Sequence, residues 1–232
     1  MIAALSFLTI LGRGRAPDAR ALVWFPAVGL LIGAVVALAH DGTHRWWTPA
    51  LAAALVLAVD LVVTGALHLD GTADTADGLL PHMERTRRLE VMADPTVGAF
   101  ALVTVIVVLL TRWAAFTDPT LEVLVIVALW VASRTVVAVV PALVAYARPG
   151  GLAQVLIEGA PRWPAVFLLP ALALATVADG ARGATAVLAC VATAMLIVAW
   201  SVRRLGGYTG DVLGAAILVP ETVGLVVLAV RP

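Results

Sequence analysis

The chain contains no lysine: all fifteen of its basic residues are arginine, and fifteen acidic residues balance them to a formal net charge of zero. With no basic tail or lysine-rich stripe, the sequence excludes a surface of the kind that tracks nucleic acid. There is one cysteine, Cys190, set inside an apolar run, so neither a disulfide nor a multi-cysteine metal site can form within the chain. Cys190 reads as packing. Charge of either sign is scarce, at 13% of residues. No internal repeat is present and no linker is long enough to separate a second domain, so residues 1–232 read as a single domain. No cleavable leader is expected, because the first long apolar run, from Ala21, is followed by others like it. Insertion by the protein's own first helices is expected.

What the chain does have is apolar length. Hydrophobic residues make up 62% of it and the mean hydropathy is +1.04, a profile that takes the bilayer as solvent. Apolar runs occur at Ala21 to Ala39, Pro49 to Leu67, Gly98 to Phe116, Leu121 to Ala145, Trp163 to Val177, Ala184 to Trp200 and Val212 to Val230. Each is near the ~20 residues that span a hydrocarbon core. Backbone amides in lipid must be paired internally, and strand alternation is absent. The expected fold is therefore all-α, a polytopic integral membrane bundle of about seven transmembrane helices. Met1 to Leu11 is apolar but short, and reads as an interfacial or re-entrant segment.

Arginine sets the orientation. With the N-terminus cytoplasmic, that side receives Arg13, Arg15, Arg20, Arg85, Arg87, Arg88, Arg148, Arg162, Arg203 and Arg204, against Arg45, Arg182 and Arg231 opposite. This positive-inside bias holds loop by loop, and the membrane expected is a cell inner membrane. Gly29 and Gly33 form a small-xxx-small pair, and Trp24, Trp46, Trp47, Trp113, Trp163 and Trp200 stand near span ends as interface anchors.

The chemistry concentrates in His68-Leu-Asp-Gly-Thr-Ala-Asp-Thr-Ala-Asp77-Gly78, which leaves the second span on the cytoplasmic side. Asp70, Asp74 and Asp77 recur at i, i+4 and i+7, so on a helix they fall within roughly 60° of one another as one carboxylate stripe. Three like charges so close repel unless a cation sits among them, and oxygen ligands suit Mg2+ or Mn2+. Gly71 and Gly78 remove bulk beside the carboxylates, where a phosphate would approach. A plainer alternative is a solvated face where a helix leaves the membrane, with Asp and Thr satisfying free backbone groups. Small residues in every gap and the lack of an interleaved basic partner favour a metal site. His68 falls on the opposite face and is either a proton acceptor or an interfacial hydrogen-bonding residue.

Further along that loop Asp94 precedes Pro95, the pattern of an N-cap and first helical residue at the start of the third span. Arg88 and its neighbours are topology signals first and phosphate ligands second. Arg203-Arg-Leu-Gly206-Gly207-Tyr-Thr-Gly210-Asp211 precedes the last span, whose N-terminus faces the same side. Free amides and the positive end of the dipole make Gly206, Gly207 and Gly210 a candidate phosphate cradle, or else a turn capped by Thr209 or Asp211. Tyr146-Ala-Arg148-Pro-Gly150-Gly151-Leu152 enters on that face too, and Arg148 is a candidate phosphate ligand. Asp60, Arg134 and Glu221 lie about ten or more residues from either end of their spans, near mid-bilayer. Unpaired they would be costly, so Arg134 is expected to pair with Asp60 or Glu221.

The string T-G-A-L-H-L-D-G-T-A-D-T-A-D-G-L from Thr64 to Leu79 resembles the signature of the cobalamin synthase family, the adenosylcobinamide-GDP ribazoletransferases. F-P-A-V-G-L-L-I-G at Phe25 to Gly33, R-L-E-V-M-A-D-P-T-V-G-A-F at Arg88 to Phe100, Y-A-R-P-G-G-L-A at Tyr146 to Ala153 and G-G-Y-T-G-D-V-L-G-A at Gly206 to Ala215 support it, in order along nearly the whole chain. The resemblance implies a Mg2+-dependent membrane transferase that joins α-ribazole or its 5'-phosphate to adenosylcobinamide-GDP and releases GMP. It also implies that Asp70, Asp74 and Asp77 match the family's acidic motif, and that Asp94, Asp211 and Glu221 match its other acidic positions. The chain departs from the family pattern at Ile10 to Arg15, where an Arg-Leu-Pro-type stretch is usual.

The expectation is thus a transferase with its active site on the cytoplasmic face, with the bilayer and two small-molecule substrates as partners, and with association into a homo-oligomer or with other enzymes of the pathway left open. A CDP-alcohol phosphotransferase also presents aspartates to metal, but its Asp-Gly, Ala-Arg spacing is not met, because no arginine follows Ala73. The alternative from another class is a membrane cation transporter using Asp60 and Glu221. Carboxylates gathered in a loop beside glycine and arginine suit phosphate chemistry better.

Overall fold

Prolines open the first long helices. Pro26 and Pro49 stand in the first turns of α2 (Phe25–His44) and α3 (Pro49–Thr64), where a missing N–H leaves no intrahelical bond unmade. The computed structural model describes residues 1–11, 19–148 and 159–230. Arg13 and Arg15, Gly150 and Gly151, and Arg231 lie outside the described residues. Before α2 come α1 (Ile2–Leu8) and a 3₁₀ turn, Ala19–Trp24. After α3 follow α4 (Leu67–Leu79), α5 (Arg85–Val91), α6 (Ala99–Phe116), α7 (Val123–Val139), α8 (Leu168–Leu205) and α9 (Gly210–Leu228). Among the described residues there is no β-strand, only one isolated bridge between Tyr146 and Tyr208.

The fold is an all-α polytopic membrane protein. Five helical stretches are long and apolar enough to cross a bilayer: Ala19–His44, Ala99–Phe116, Val123–Ala142, Trp163–Leu205 and Gly210–Leu228. Two of the seven expected spans, Trp163 to Val177 and Ala184 to Trp200, share one of these stretches. Trp163 to Leu205 is one helical stretch, broken at Asp179 and Gly180. There Gly180 takes φ +56°, and a side chain on Gly183 would strike the carbonyl of Ala175, eight residues earlier. Eight residues of straight helix cover about 12 Å, so the chain doubles back at this break. α3 ends at Thr64 and counts as a span only when joined to α4, from which it is bent by 88°.

α7 is the centre of the bundle, with fourteen of its seventeen residues buried. α2 lies against it through the small-xxx-small pair: a Cβ on Gly29 would come within 2.5 Å of the Trp130 carbonyl oxygen, and one on Gly33 within 2.9 Å of the Trp130 Cβ. Either substitution would force the two backbones apart. The outer faces are apolar as well. Leu102, Val103, Ile106, Val107 and Leu110 on α6 and Leu188 and Leu196 on α8 are all exposed, as befits helices that face lipid. Trp24, Trp46, Trp47, Trp113 and Trp163 are exposed near helix ends, whereas Trp130 is fully buried.

Segments that arginine counting assigns to one side do meet. The loop after α8 pairs with the loop after α7, Tyr208 N–H donating to the Ala145 carbonyl at 2.9 Å and Ala147 N–H to that of Tyr208 at 2.8 Å. Arg148 donates to the Leu89 carbonyl at 3.3 Å. At the opposite end His40 Nε2 reaches the carbonyl of Asp118 at 3.0 Å and His44 Nε2 that of Phe116 at 2.8 Å.

Between the two ends the deep charges are paired. Arg134 binds Glu221, as anticipated, and Ser133 Oγ donates to the same carboxylate at 2.8 Å. Asp60 pairs with Arg112 rather than with Arg134, at 2.5 Å, and accepts from Trp130 Nε1 at 3.3 Å. Arg112 also lies 3.6 Å from Glu221, so the two ion pairs are contiguous.

Candidate active site

The site is made by the sharp bend between α3 and α4. Gly65 and Ala66 both take left-handed φ, +60° and +55°, which ends α3 and turns the chain across the end of the bundle. At Gly65 a side chain would also meet the methyl of Ile10 at 2.7 Å. α4, polar, roughly perpendicular to α3 and too short to span a bilayer by itself, crosses the N-terminus of α9. Glycines set how closely it crosses: a Cβ on Gly71 would sit 2.8 Å from the Asp211 carbonyl oxygen, and one on Gly214 would be 3.4 Å from the Cα atoms of Gly71 and His68. Gly71 and Gly78 were expected to clear room for a phosphate. Gly71 instead admits the α9 backbone, and Gly78 is covered by the Met92 side chain.

This crossing gathers some of the residues singled out in the sequence. A cavity of about 400 Å³ opens at the junction, lined by His68, Asp70 and Gly71 of α4, by Tyr146 and Arg148, by Gly210, Asp211, Leu213, Gly214 and Ile217 of α9, by Val137 of α7 and by Phe7 and Leu8 of α1. Arg148 Nη2 stands 3.7 Å from Asp211 Oδ2. Asp74, half-buried on the next turn of α4, has its carboxyl pushed up to about 7 by burial, and then by the neighbouring Asp211 and Asp70 carboxylates. His68 is buried, its Nε2 has no hydrogen-bond partner among the described residues, and burial together with the Arg134 and Arg112 charges holds its pKa well below the usual histidine range. Thr209 caps α9, its Oγ1 accepting from Val212 N–H at 3.3 Å.

Other candidate residues are engaged elsewhere. Asp77 lies on the expected stripe, but both its oxygens are taken: Gly98 N–H donates to Oδ2 at 2.7 Å and Ala101 N–H to Oδ1 at 2.9 Å. It caps α6. The stripe itself is the reason, since seven residues of helix rise about 10 Å and carry Asp77 from α9 to α6, beyond any ion held at Asp70. Asp94 is exposed and accepts from the Thr96 N–H and hydroxyl at 2.9 and 2.6 Å, a closed local turn. Glu221 is buried in the ion pairs of the bundle interior. Arg88, also buried, donates to the Gly78 and Leu79 carbonyls at 2.7 and 3.2 Å and so closes the C-terminus of α4. Gly206 takes φ +75° at the end of α8, under the Arg85 guanidinium, and Gly207 packs on the Ala145 carbonyl. Of the glycine-rich loop, Gly210 alone lines the cavity and has open space around it.

Among the described residues no three His, Cys, Asp or Glu side chains already form a cage for a metal ion. The donor set nevertheless fits a hard divalent cation. Asp70, Asp74 and Asp211 are oxygen donors, crowded enough that Asp211 and Asp70 raise the proton affinity of Asp74, and a bound Mg2+ would relieve that repulsion. Sequence reasoning missed the walls of the cavity. Phe7, Leu8, Val137 and Ile217 come from three helices, and nothing local in the sequence marks apolar residues that tertiary packing brings to one place.

Comparison with known proteins agrees over the full length. Residues 1–229 match the family model of cobalamin-5-phosphate synthase. The chain is 39% identical to an adenosylcobinamide-GDP ribazoletransferase of Bradyrhizobium diazoefficiens, over 97% of this chain and 91% of that one. It is 37% identical to the enzyme of the same name from Stutzerimonas stutzeri, over 100% and 98%, and 37% identical to that of Chlorobaculum tepidum, over 93% and 89%. No solved structure matches it.

Proposed function

The chain belongs to the cobalamin-5-phosphate synthase family, and on that footing we propose that it is an adenosylcobinamide-GDP ribazoletransferase of the late cobalamin pathway. It joins α-ribazole, or its 5'-phosphate, to adenosylcobinamide-GDP and releases GMP. The observation that carries this reading is the convergence of Asp70 and Asp211 with Arg148 at one cavity, with Asp74 on the next turn of α4 near enough to feel the charge of all three, a carboxylate cluster beside a cation of the kind phosphate transfer needs. Asp70, Asp74 and Asp211 would hold Mg2+, which supplies charge neutralisation at the phosphorus and at the departing phosphate. The Arg148 guanidinium binds phosphate oxygens at the same cavity. His68, kept neutral and unpartnered, hydrogen-bonds the attacking hydroxyl of the acceptor and orients it toward the phosphorus. That oxygen forms the new P–O bond as the bond to GMP breaks, and its proton ends on the departing GMP phosphate.

The active site faces the cytoplasm of an inner membrane with the N-terminus on the same side, a placement supported by the ten-to-three arginine bias. The transporter reading loses its support, because Asp60 and Glu221 are each matched by a buried arginine. The test is reconstitution: purified protein in lipid, given adenosylcobinamide-GDP and α-ribazole, is expected to release GMP with Mg2+ and not with EDTA. No product from folded protein with either the nucleoside or its 5'-phosphate overturns the assignment.

A further inference from the structure

The cavity is graded in polarity along α9. Among its lining residues Gly210, Asp211, Asp70 and Arg148 are at least partly exposed, whereas Leu213, Gly214 and Ile217, further along α9, are buried. Six residues of helix separate Asp211 from Ile217, about 9 Å along the axis. Buried Val137 of α7 and the Phe7 ring of α1, which itself stacks on Phe25 at 5.8 Å, also line the cavity. Tyr146 adds a second aromatic ring to the lining. A polar group meets this apolar lining at His68, whose buried Nε2 has no partner among the described residues. A buried nitrogen left so is costly unless a ligand completes it.

Of the two substrates in the proposed reaction, one suits such a space. A cavity of about 400 Å³ encloses a molecule of drug size, whereas a corrinoid carrying a nucleotide is several times larger. The guanine of the donor has amide and amine edges that aliphatic walls would leave unsatisfied. Ribazole is the riboside of dimethylbenzimidazole, a flat bicycle with two methyl groups, no exocyclic polar group and one free ring nitrogen. We propose that the inner cavity is the base pocket of the acceptor. The bicycle lies between the apolar walls, His68 Nε2 hydrogen-bonds the attacking ribose hydroxyl where the acceptor leaves them, and Val137 and Ile217 set the size of base admitted. The ribose then runs along α9 to the carboxylate rim, where its hydroxyl meets the phosphorus.

This inference rests on the transferase reading, and steady-state kinetics in lipid with Mg2+ separates the two. Acceptor is varied at saturating donor and donor at saturating acceptor, for the parent, Val137→Phe, Val137→Ala and Ile217→Ala. Val137→Phe is expected to raise the acceptor KM by ~10-fold or more, in line with the energy of a methyl group or two in an apolar pocket, with the donor KM unchanged. The unsubstituted benzimidazole riboside should recover most of that loss. Val137→Ala and Ile217→Ala are expected to shift preference toward a bulkier base such as a naphthimidazole riboside, and they carry the test if the phenylalanine variant does not fold. Active variants with unchanged acceptor KM and base preference, or with the loss on the donor side, overturn the pocket and leave the transferase reading standing. A folded parent that makes no product with any acceptor overturns both.

Discussion

Arg112 of α6 and Asp60 of α3 form an ion pair 2.5 Å across, with Arg112 fully buried and Asp60 nearly so. The same guanidinium lies 5.1 Å from the Trp130 ring and 3.6 Å from Glu221, so three outer helices are pinned to α7 by charge inside an apolar bundle. Removing one partner leaves the other as an uncompensated buried charge, which costs about 3–5 kcal/mol. Arg112→Ala is therefore expected to lower the unfolding midpoint in detergent sharply, and Arg112→Leu combined with Asp60→Leu to recover much of the loss. Variants as stable as the parent would contradict the pairing.

Asp77 and Asp74 share one face of α4 but are expected to fail differently. Asp77→Ala removes the acceptor for two amides of α6 and should cost about 1–2 kcal/mol, measured by chemical unfolding, while Mn2+ affinity stays near the parent's. Asp74→Asn should leave stability intact and weaken Mn2+ binding. The opposite pattern would place the metal at α6.

Gly71→Val tests how the site is assembled. A Cβ there falls 2.8 Å from the Asp211 carbonyl oxygen, so a branched side chain must push α4 off α9 and draw Asp70 and Asp74 away from Asp211. Misplacement on the order of 1 Å costs roughly 10²-fold in rate. GMP release should fall by about that factor while the protein still inserts, and an unaltered rate would contradict the crossing.

The raised proton affinity of Asp74 has a pH signature. Its carboxyl holds a proton up to about 7 in the folded, metal-free protein against an ordinary value of 3.8, so between those values the folded state binds more protons than the unfolded one. That contribution to stability is complete below the ordinary value and is lost as pH rises through about 7. In EDTA the unfolding temperature should therefore fall between about pH 5.5 and pH 8, and saturating Mg2+ should remove the fall. An equal fall with and without Mg2+ would contradict a cation at Asp74.

Much of this was legible in the sequence, for identifiable reasons. Helical periods put Asp70 and Asp74 on one face of α4, arginine counts grouped the loops that meet at the site, and Gly29 and Gly33 marked the α2 seam. Three features were not legible. Arg112 stands four residues from the end of its helix, where an arginine ordinarily reaches the interface, and only the bundle turns it inward to Asp60. The left-handed pair Gly65 and Ala66 decides that α4 crosses α9 instead of continuing α3, and an alanine gives no hint of left-handed backbone. Asp77 and Arg88 carry the right charge for a phosphate site, yet free backbone groups at helix ends claim them first.

In the proposed transferase, carboxylates of α4 and α9 hold one divalent centre. Electron paramagnetic resonance of Mn2+ titrated into the protein in lipid tests it most directly, with Asp74→Asn and Asp211→Asn set beside Asp94→Asn. The parent and Asp94→Asn should show the same saturable bound signal, and the other two should lose it. A signal that survives both Asp74→Asn and Asp211→Asn, or that disappears with Asp94→Asn, would contradict the account.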